Sequence, residues 1–150
     1  VTLCEIDPEL VSLMTGFTPE YEAGTSGPIA GFRAVEGVNP NRFALEVWTG
    51  LNRGACTAEG ACYGYSLWPQ IVGATVSGDV TIENGAATLE IAGYTEGQST
   101  WGVGPWDVIG TQNSPTPLGL AIQADEHWLM RTTCVTPPDA ECGVFPIESP

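Results

Sequence analysis

The sequence predicts a mainly β fold: a sandwich or barrel of short antiparallel strands with one short N-terminal helix and long loops. Three observations carry this. Alternating apolar and polar residues recur in short runs from residue 42 onward. Turn-forming residues separate those runs about every ten positions. Helical periodicity is confined to one segment near the start. Nineteen Gly and twelve Pro among 150 residues supply the turns. The length suits one β domain over 1–150, with a helix near 7–15, a long loop 17–41, a β core 42–134 and an irregular tail 135–150.

The helix is read from Asp7-Pro-Glu-Leu-Val-Ser-Leu-Met-Thr-Gly16. Asp7 is a favourable N-cap, Pro8 suits the first helical position, and Gly16 can take the left-handed conformation that stops a helix. Leu10, Leu13 and Met14 fall at i, i+3 and i+4, one apolar face expected in the core. Residues 17–41 then carry Pro19, Gly24, Gly27, Pro28, Gly31, Gly37 and Pro40. This composition predicts a long connection with at most one short strand around Ile29–Val35.

Strand texture begins at Arg42-Phe-Ala-Leu-Glu-Val-Trp-Thr49, with Phe43, Leu45 and Val47 on one side and Ala44, Glu46 and Trp48 on the other. Tyr63, Tyr65 and Leu67 share a face of the next run. Residues 79–84 and 87–92 flank Asn84-Gly85, the strongest short hairpin signal in the chain. Trp101–Ile109 and His127–Cys134 are two further strand candidates, with turn chemistry at Pro115, Pro117 and Gly119 between them. The expected core contains Phe43, Leu45, Val47, Val80, Ile82, Leu89 and Ile91.

Composition excludes several functional classes. Acids outnumber bases 18 to 4, for a net charge of −14, and all four bases are Arg. Phosphate recognition is dominated by Lys and Arg, so this balance argues against a nucleic-acid reader and against docking on an anionic membrane. No apolar run approaches the ~20 residues of a transmembrane helix, and no membrane partner is expected. At 43% hydrophobic and 15% charged, the chain is not a disordered tail.

A search for chemistry is mostly negative. His127 is the single histidine, no GxSxG surrounds a serine, and there is no HExxH, Walker loop or dinucleotide fingerprint. Glu46, Glu83 and Glu90 lie on strand-like segments, but acids on one strand face are by default a solvated sheet surface. No calcium loop is present. No catalytic residue, cofactor or metal site is therefore expected. Five cysteines lack zinc spacing. Cys56 with Cys62, and Cys134 with Cys142, could close two local disulfide loops or stand as free thiols, and Cys4 is left over. Cys56 and Cys62 are expected to lie close in space in either case. Five Trp leave room for sugar binding through exposed indoles.

The phrases Asp7-Pro-Glu-Leu-Val-Ser-Leu-Met-Thr-Gly16, Phe43-Ala-Leu-Glu-Val-Trp48, Tyr63-Gly-Tyr-Ser-Leu-Trp-Pro69, Gly78-Asp-Val-Thr-Ile-Glu-Asn84 and Trp101-Gly-Val-Gly-Pro-Trp-Asp107 resemble, in order and spacing, major tail proteins of siphophages infecting actinobacteria. The resemblance implies a virion protein: a β-sandwich or barrel subunit that forms homo-oligomeric rings, commonly hexameric, stacked into a tail tube that conducts DNA as non-specific cargo. It implies other virion proteins as partners. Decoration and head–tail connector subunits are alternatives within virions, and an extracellular carbohydrate-binding module is an alternative outside them. An acidic bore would repel a sliding DNA backbone and prevent sticking. Residues 17–41, with Phe17 and Tyr21 at their start and Arg33 and Arg42 near their end, are the candidate subunit contact. Few cations in a chain of −14 are best used at interfaces.

Overall fold

The structure is a computed structural model that describes residues 2–3, 7–37, 40–50, 63–77, 81–83, 86–111 and 113–138. In chain order the elements are β1 (Thr2–Leu3), α1 (Pro8–Thr15), β2 (Thr18–Tyr21), β3 (Ile29–Arg33), β4 (Phe43–Gly50), β5 (Tyr63–Val76), β6 (Thr81–Glu83), β7 (Ala86–Thr95), β8 (Ile109–Thr111), β9 (Ser114–Thr116) and β10 (Leu129–Thr133). The pairs β1–β7, β2–β3, β6–β7, β8–β9 and β5–β10 are all antiparallel. The protein is mainly β with one short N-terminal helix, as the alternation and the caps predict.

Its contacts divide the chain into two compact units: Val1–Phe43 with Ile71–Tyr94, and Ala44–Gln70 with Thr95–Pro150. In the first, α1 begins as its caps require. The Asp7 side chain accepts hydrogen bonds from the backbone N–H groups of Glu9 (2.9 Å) and Leu10 (3.4 Å). Gly16, at φ 74°, ends the helix by donating its N–H to the Ser12 carbonyl. The buried face is Val11, Met14 and Thr15, whereas Leu10 and Leu13 are exposed. The expected Leu10–Leu13–Met14 face is thus rotated. Val11 lies on the other side of Met14 from Leu10 and Leu13, and with Thr15 it takes the core side, where the Thr15 hydroxyl donates to the Val11 carbonyl at 2.6 Å.

The stretch 17–41 is a second correction. It holds two strands, not one: β2 pairs with β3 through Thr18↔Arg33, Pro19↔Phe32 and Glu20↔Gly31, with a register shift before Tyr21↔Ile29. Pro19 masks the strand in the sequence, yet a two-stranded ribbon has outer edges where its missing N–H costs little. Phe17 stacks on Phe32, with ring centroids 5.9 Å apart and planes at 21°. Both pack against Val11, Met14, Ala74, Leu89 and Ile91. Much of this segment's apolar surface is therefore covered by its own chain.

Leu89 and Ile91 are in that core as expected, and Phe43 packs on it. The β6–β7 register, Thr81↔Thr88 to Glu83↔Ala86, brackets residues 84–85 as a hairpin would. Asn84, Gly85 and Val80, and the side chain of Ile82, lie outside the described residues.

In the second unit, β5 pairs with β4 and β10. Its core is Tyr65, Leu67, Trp106, Val108, Leu118 and Ile122, with Ala44, Trp48, Trp101 and Leu129 packed around it. This reverses the expected faces of β4. Ala44 and Trp48 turn inward, and Val47 is 37% exposed. The larger aromatic, Trp48, outweighs Val47 because it buries more apolar area. The strand expected at 101–109 is largely replaced by tight turns. Gly102 and Gly104 have φ of 60° and 63°, and their N–H groups bond back to the Ser99 and Trp101 carbonyls. A β8–β9 ribbon instead forms where turn residues were read.

Candidate functional site

The site with the most unusual surface chemistry lies on the outer face of the second unit's sheet. On β5 the side chains of Tyr65, Leu67 and Pro69 are fully buried. Alternation therefore places Ser66, Trp68 and Gln70 on the opposite face. The β5–β10 register runs Leu129↔Leu67, Met130↔Ser66 and Arg131↔Tyr65. One step beyond it, Trp128 comes opposite Trp68, and cross-strand neighbours on one face are in contact range. The two indoles are almost parallel, with ring centroids 6.1 Å apart and planes at 10°. Trp128 is 55% exposed and Met130 67% exposed. The result is a stacked indole pair beside the exposed Met130, with Trp128 on its solvent-exposed side.

A polar cluster continues the same face of β5. Gln70 donates to Glu96 at 2.9 Å, Gln98 donates to the Gln70 amide oxygen at 2.8 Å, and the Gln98 amide oxygen accepts from the Thr100 N–H. The Glu96 N–H bonds to the Gln70 carbonyl. His127 Nδ1 lies 3.1 Å from the Thr95 carbonyl oxygen. A carbonyl can only accept, so Nδ1 carries the proton. These bonds hold residues 95–98 beside residues 124–127. A side chain at Gly97 would collide with the Ala124 carbonyl.

Beneath the sheet, the buried Tyr65 hydroxyl donates to Glu46 at 2.7 Å. Trp48 packs edge-on against Tyr65, with centroids 4.9 Å apart. Burial holds the Glu46 carboxyl above its usual range, although the Tyr65 hydrogen bond pulls it down. The Tyr65 phenol is pushed well above its usual range by burial and by the adjacent Glu46 charge. This pair is a structural hydrogen bond in a mostly apolar layer.

The candidate contact residues fall in the first unit, apart from one another in role. Phe17 is half-buried on Phe32, and Tyr21 sits half-buried at the end of β2. Arg33 bonds to Glu20 across the hairpin at 2.7 Å, lowering the Glu20 carboxyl through that hydrogen bond and its charge. Arg42 is exposed. An open cleft of about 370 Å³ runs along α1, lined by Ser12, Leu13, Phe17, Pro19, Ile29 and Asn41 among others. Asn41 donates to the Leu13 carbonyl there at 2.7 Å. Cys134 is disulfide-bonded, whereas Cys4, Cys56, Cys62 and Cys142 lie outside the described residues. Among the described residues, no group of three or more His, Cys, Asp or Glu could hold a metal ion.

The Trp68–Trp128 pair was not read from the sequence. The alternation of Tyr65 and Leu67 does put Trp68 on the other face, but only the register of β10 brings Trp128 to it. No protein-family model, curated protein or solved structure matches the chain.

Proposed function

We propose that this chain is a structural virion protein whose subunits join into rings stacked as the tail tube of a siphophage. The resemblance of its sequence phrases to major tail proteins of actinobacteria-infecting siphophages supports the reading. The geometric observation that carries it is the open edge of β10. This strand pairs with β5 through all five of its residues and, among the described residues, with no other strand. An unpaired edge is a template for strand addition from another chain. Arg131, whose Nε donates to the Thr132 carbonyl, places a cation beside that edge, where an acidic neighbouring subunit would be attracted. The subunit works in the virion beside other virion proteins, without catalysis or cofactor. Its acidity keeps DNA moving through the bore as cargo.

Negative-stain microscopy of the purified protein tests this. Rings or tubes are the expected result, and Thr132→Lys, a charge added on the edge strand, is expected to reduce them to monomers that keep the β circular-dichroism signature. A parent chain that stays monomeric at high concentration overturns the proposal. Decoration of capsids without tube formation would instead support the decoration alternative.

A further inference from the structure

We propose that the outer face of the second unit's β4–β5–β10 sheet is a contact surface for another copy of this chain. The proposal stands apart from strand addition at the β10 edge, which uses main-chain groups in the plane of the sheet. Its first support is the side-chain pattern. Ala44 and Trp48 of β4, Tyr65 and Leu67 of β5, and Leu129 of β10 turn toward the core. Alternation puts Leu45 and Val47, Trp68, and Trp128 with Met130 on the other side. A sheet face turned to water ordinarily carries polar side chains. This one carries apolar side chains on every strand. Val47 is 37% exposed, Trp128 55% and Met130 67%, and Trp128 stacks on Trp68. An exposed apolar patch on a regular sheet marks an interaction surface.

The second support is charge, and it selects the occupant. Over residues 44–50, 63–68 and 128–133 the strands hold two charged side chains, Glu46 and Arg131. Both belong to the inner face. Glu46 accepts from the buried Tyr65 hydroxyl at 2.7 Å, and Arg131 stands in register with Tyr65. The outer positions of these segments are therefore free of charge, in a chain with 18 acids and 4 bases. A cationic partner gains most on the acidic remainder of the surface and has nothing to pair with here. Two copies at −14 repel one another, and contact through an uncharged patch sets no carboxylates against each other at its centre. The face thus suits an acidic partner, and the acidic partner at hand wherever this chain is concentrated is a second copy.

The footprint sets the strength. Three strands about 4.8 Å apart and about five residues long cover roughly 15 Å by 17 Å. That is well short of the ~800 Å² each partner gives to a standard interface. The contact is therefore weak alone, rises with concentration, and adds to other contacts in an assembly.

Sedimentation velocity of the full chain over a range of concentrations tests this, with the indole N–H signals followed by NMR and the Trp128 signal assigned through Trp128→Phe. Self-association is expected, with the Trp128 signal moving as concentration rises. Raising NaCl from about 0.05 M to about 0.5 M should strengthen it, because salt screens the repulsion between copies and leaves the apolar contact. Met130→Glu is expected to weaken association about tenfold or more, since it buries an unpaired charge. Leu120→Glu adds the same charge at a residue 85% exposed outside these strands and should change it little. Far-UV circular dichroism verifies that each variant folds. Association of Met130→Glu equal to that of the parent overturns the proposal, as does a parent that stays monomeric in high salt. Rings that form while the Trp128 signal stays fixed overturn this contact and leave the tube reading standing. Dimers that grow no further, with the Trp128 signal moved, support the contact and count against the tube.

Discussion

Gly104→Ala is expected to be among the costlier single-methyl changes in the second unit. Gly104 has φ 63°, and a Cβ built on it would lie 2.1 Å from Trp106 Cε3 and 2.4 Å from Cζ3. Trp106 is 3% exposed and belongs to the core with Tyr65 and Leu67. The ring cannot swing into solvent without leaving that core. Two costs combine. Forcing an L-residue into the left-handed region costs about 1 kcal/mol or somewhat more. Displacing a packed aromatic by overpacking adds about 1–3 kcal/mol. Gly102→Ala separates them, since Gly102 has φ 60° with nothing within 4 Å of its built Cβ. It should carry the backbone cost alone. Urea unfolding followed by tryptophan fluorescence gives both values, about 1 kcal/mol for Gly102→Ala and about 2–4 kcal/mol for Gly104→Ala. If the two variants unfold at the same midpoint, the turn does not clamp Trp106 and the reasoning fails.

Glu46→Gln tests the Glu46–Tyr65 pair. A carboxyl whose folded pKa is raised adds stability below its unfolded pKa, and that contribution is lost as pH rises through the folded value. Gln stays neutral and still accepts from Tyr65, so the variant should gain on the parent as pH rises through and above the ordinary carboxylate range; a pH-independent difference in urea midpoints refutes this. Arg33→Ala should return the Glu20 carboxyl upward to its ordinary range in an NMR titration, with little change in stability because the pair is exposed. Asp7→Ala removes the acceptor of the Glu9 and Leu10 N–H groups and should cost about 1 kcal/mol in thermal unfolding. No loss there would mean that burial of Val11 and Met14 alone sets the helix start.

Much of the fold was legible because local chemistry and burial agree in those places. Asp7, Pro8 and Gly16 specify a helix whatever surrounds it, and the Leu89–Ile91 alternation survives because both residues reach one core. The misreadings occur where local and tertiary preferences part. Val47 looked like core, but Trp48 on the other face buries more surface. Gly102 and Gly104 sat inside an apolar run that resembled a strand until their positive φ values folded it into turns. The Trp68–Trp128 stack was the least legible feature. Trp68 and Trp128 are sixty residues apart, and only a register set by five backbone pairs brings them together. No local pattern encodes that pairing.

Strand β5 shows how one long segment can supply two cores. Near its start the odd residues Tyr65, Leu67 and Pro69 are buried, and Tyr65 and Leu67 belong to the core of the second unit. Near its end an even residue, Ala74, is buried in the core of the first, with Val76 packed against it. Gly73, between those residues, has φ 63°, a left-handed backbone conformation that L side chains rarely adopt. Its built Cβ would meet only the Tyr94 ring at 3.6 Å, so open space is not what selects glycine here. The backbone conformation is. The left-handed backbone is therefore what places glycine at position 73 within a fourteen-residue strand.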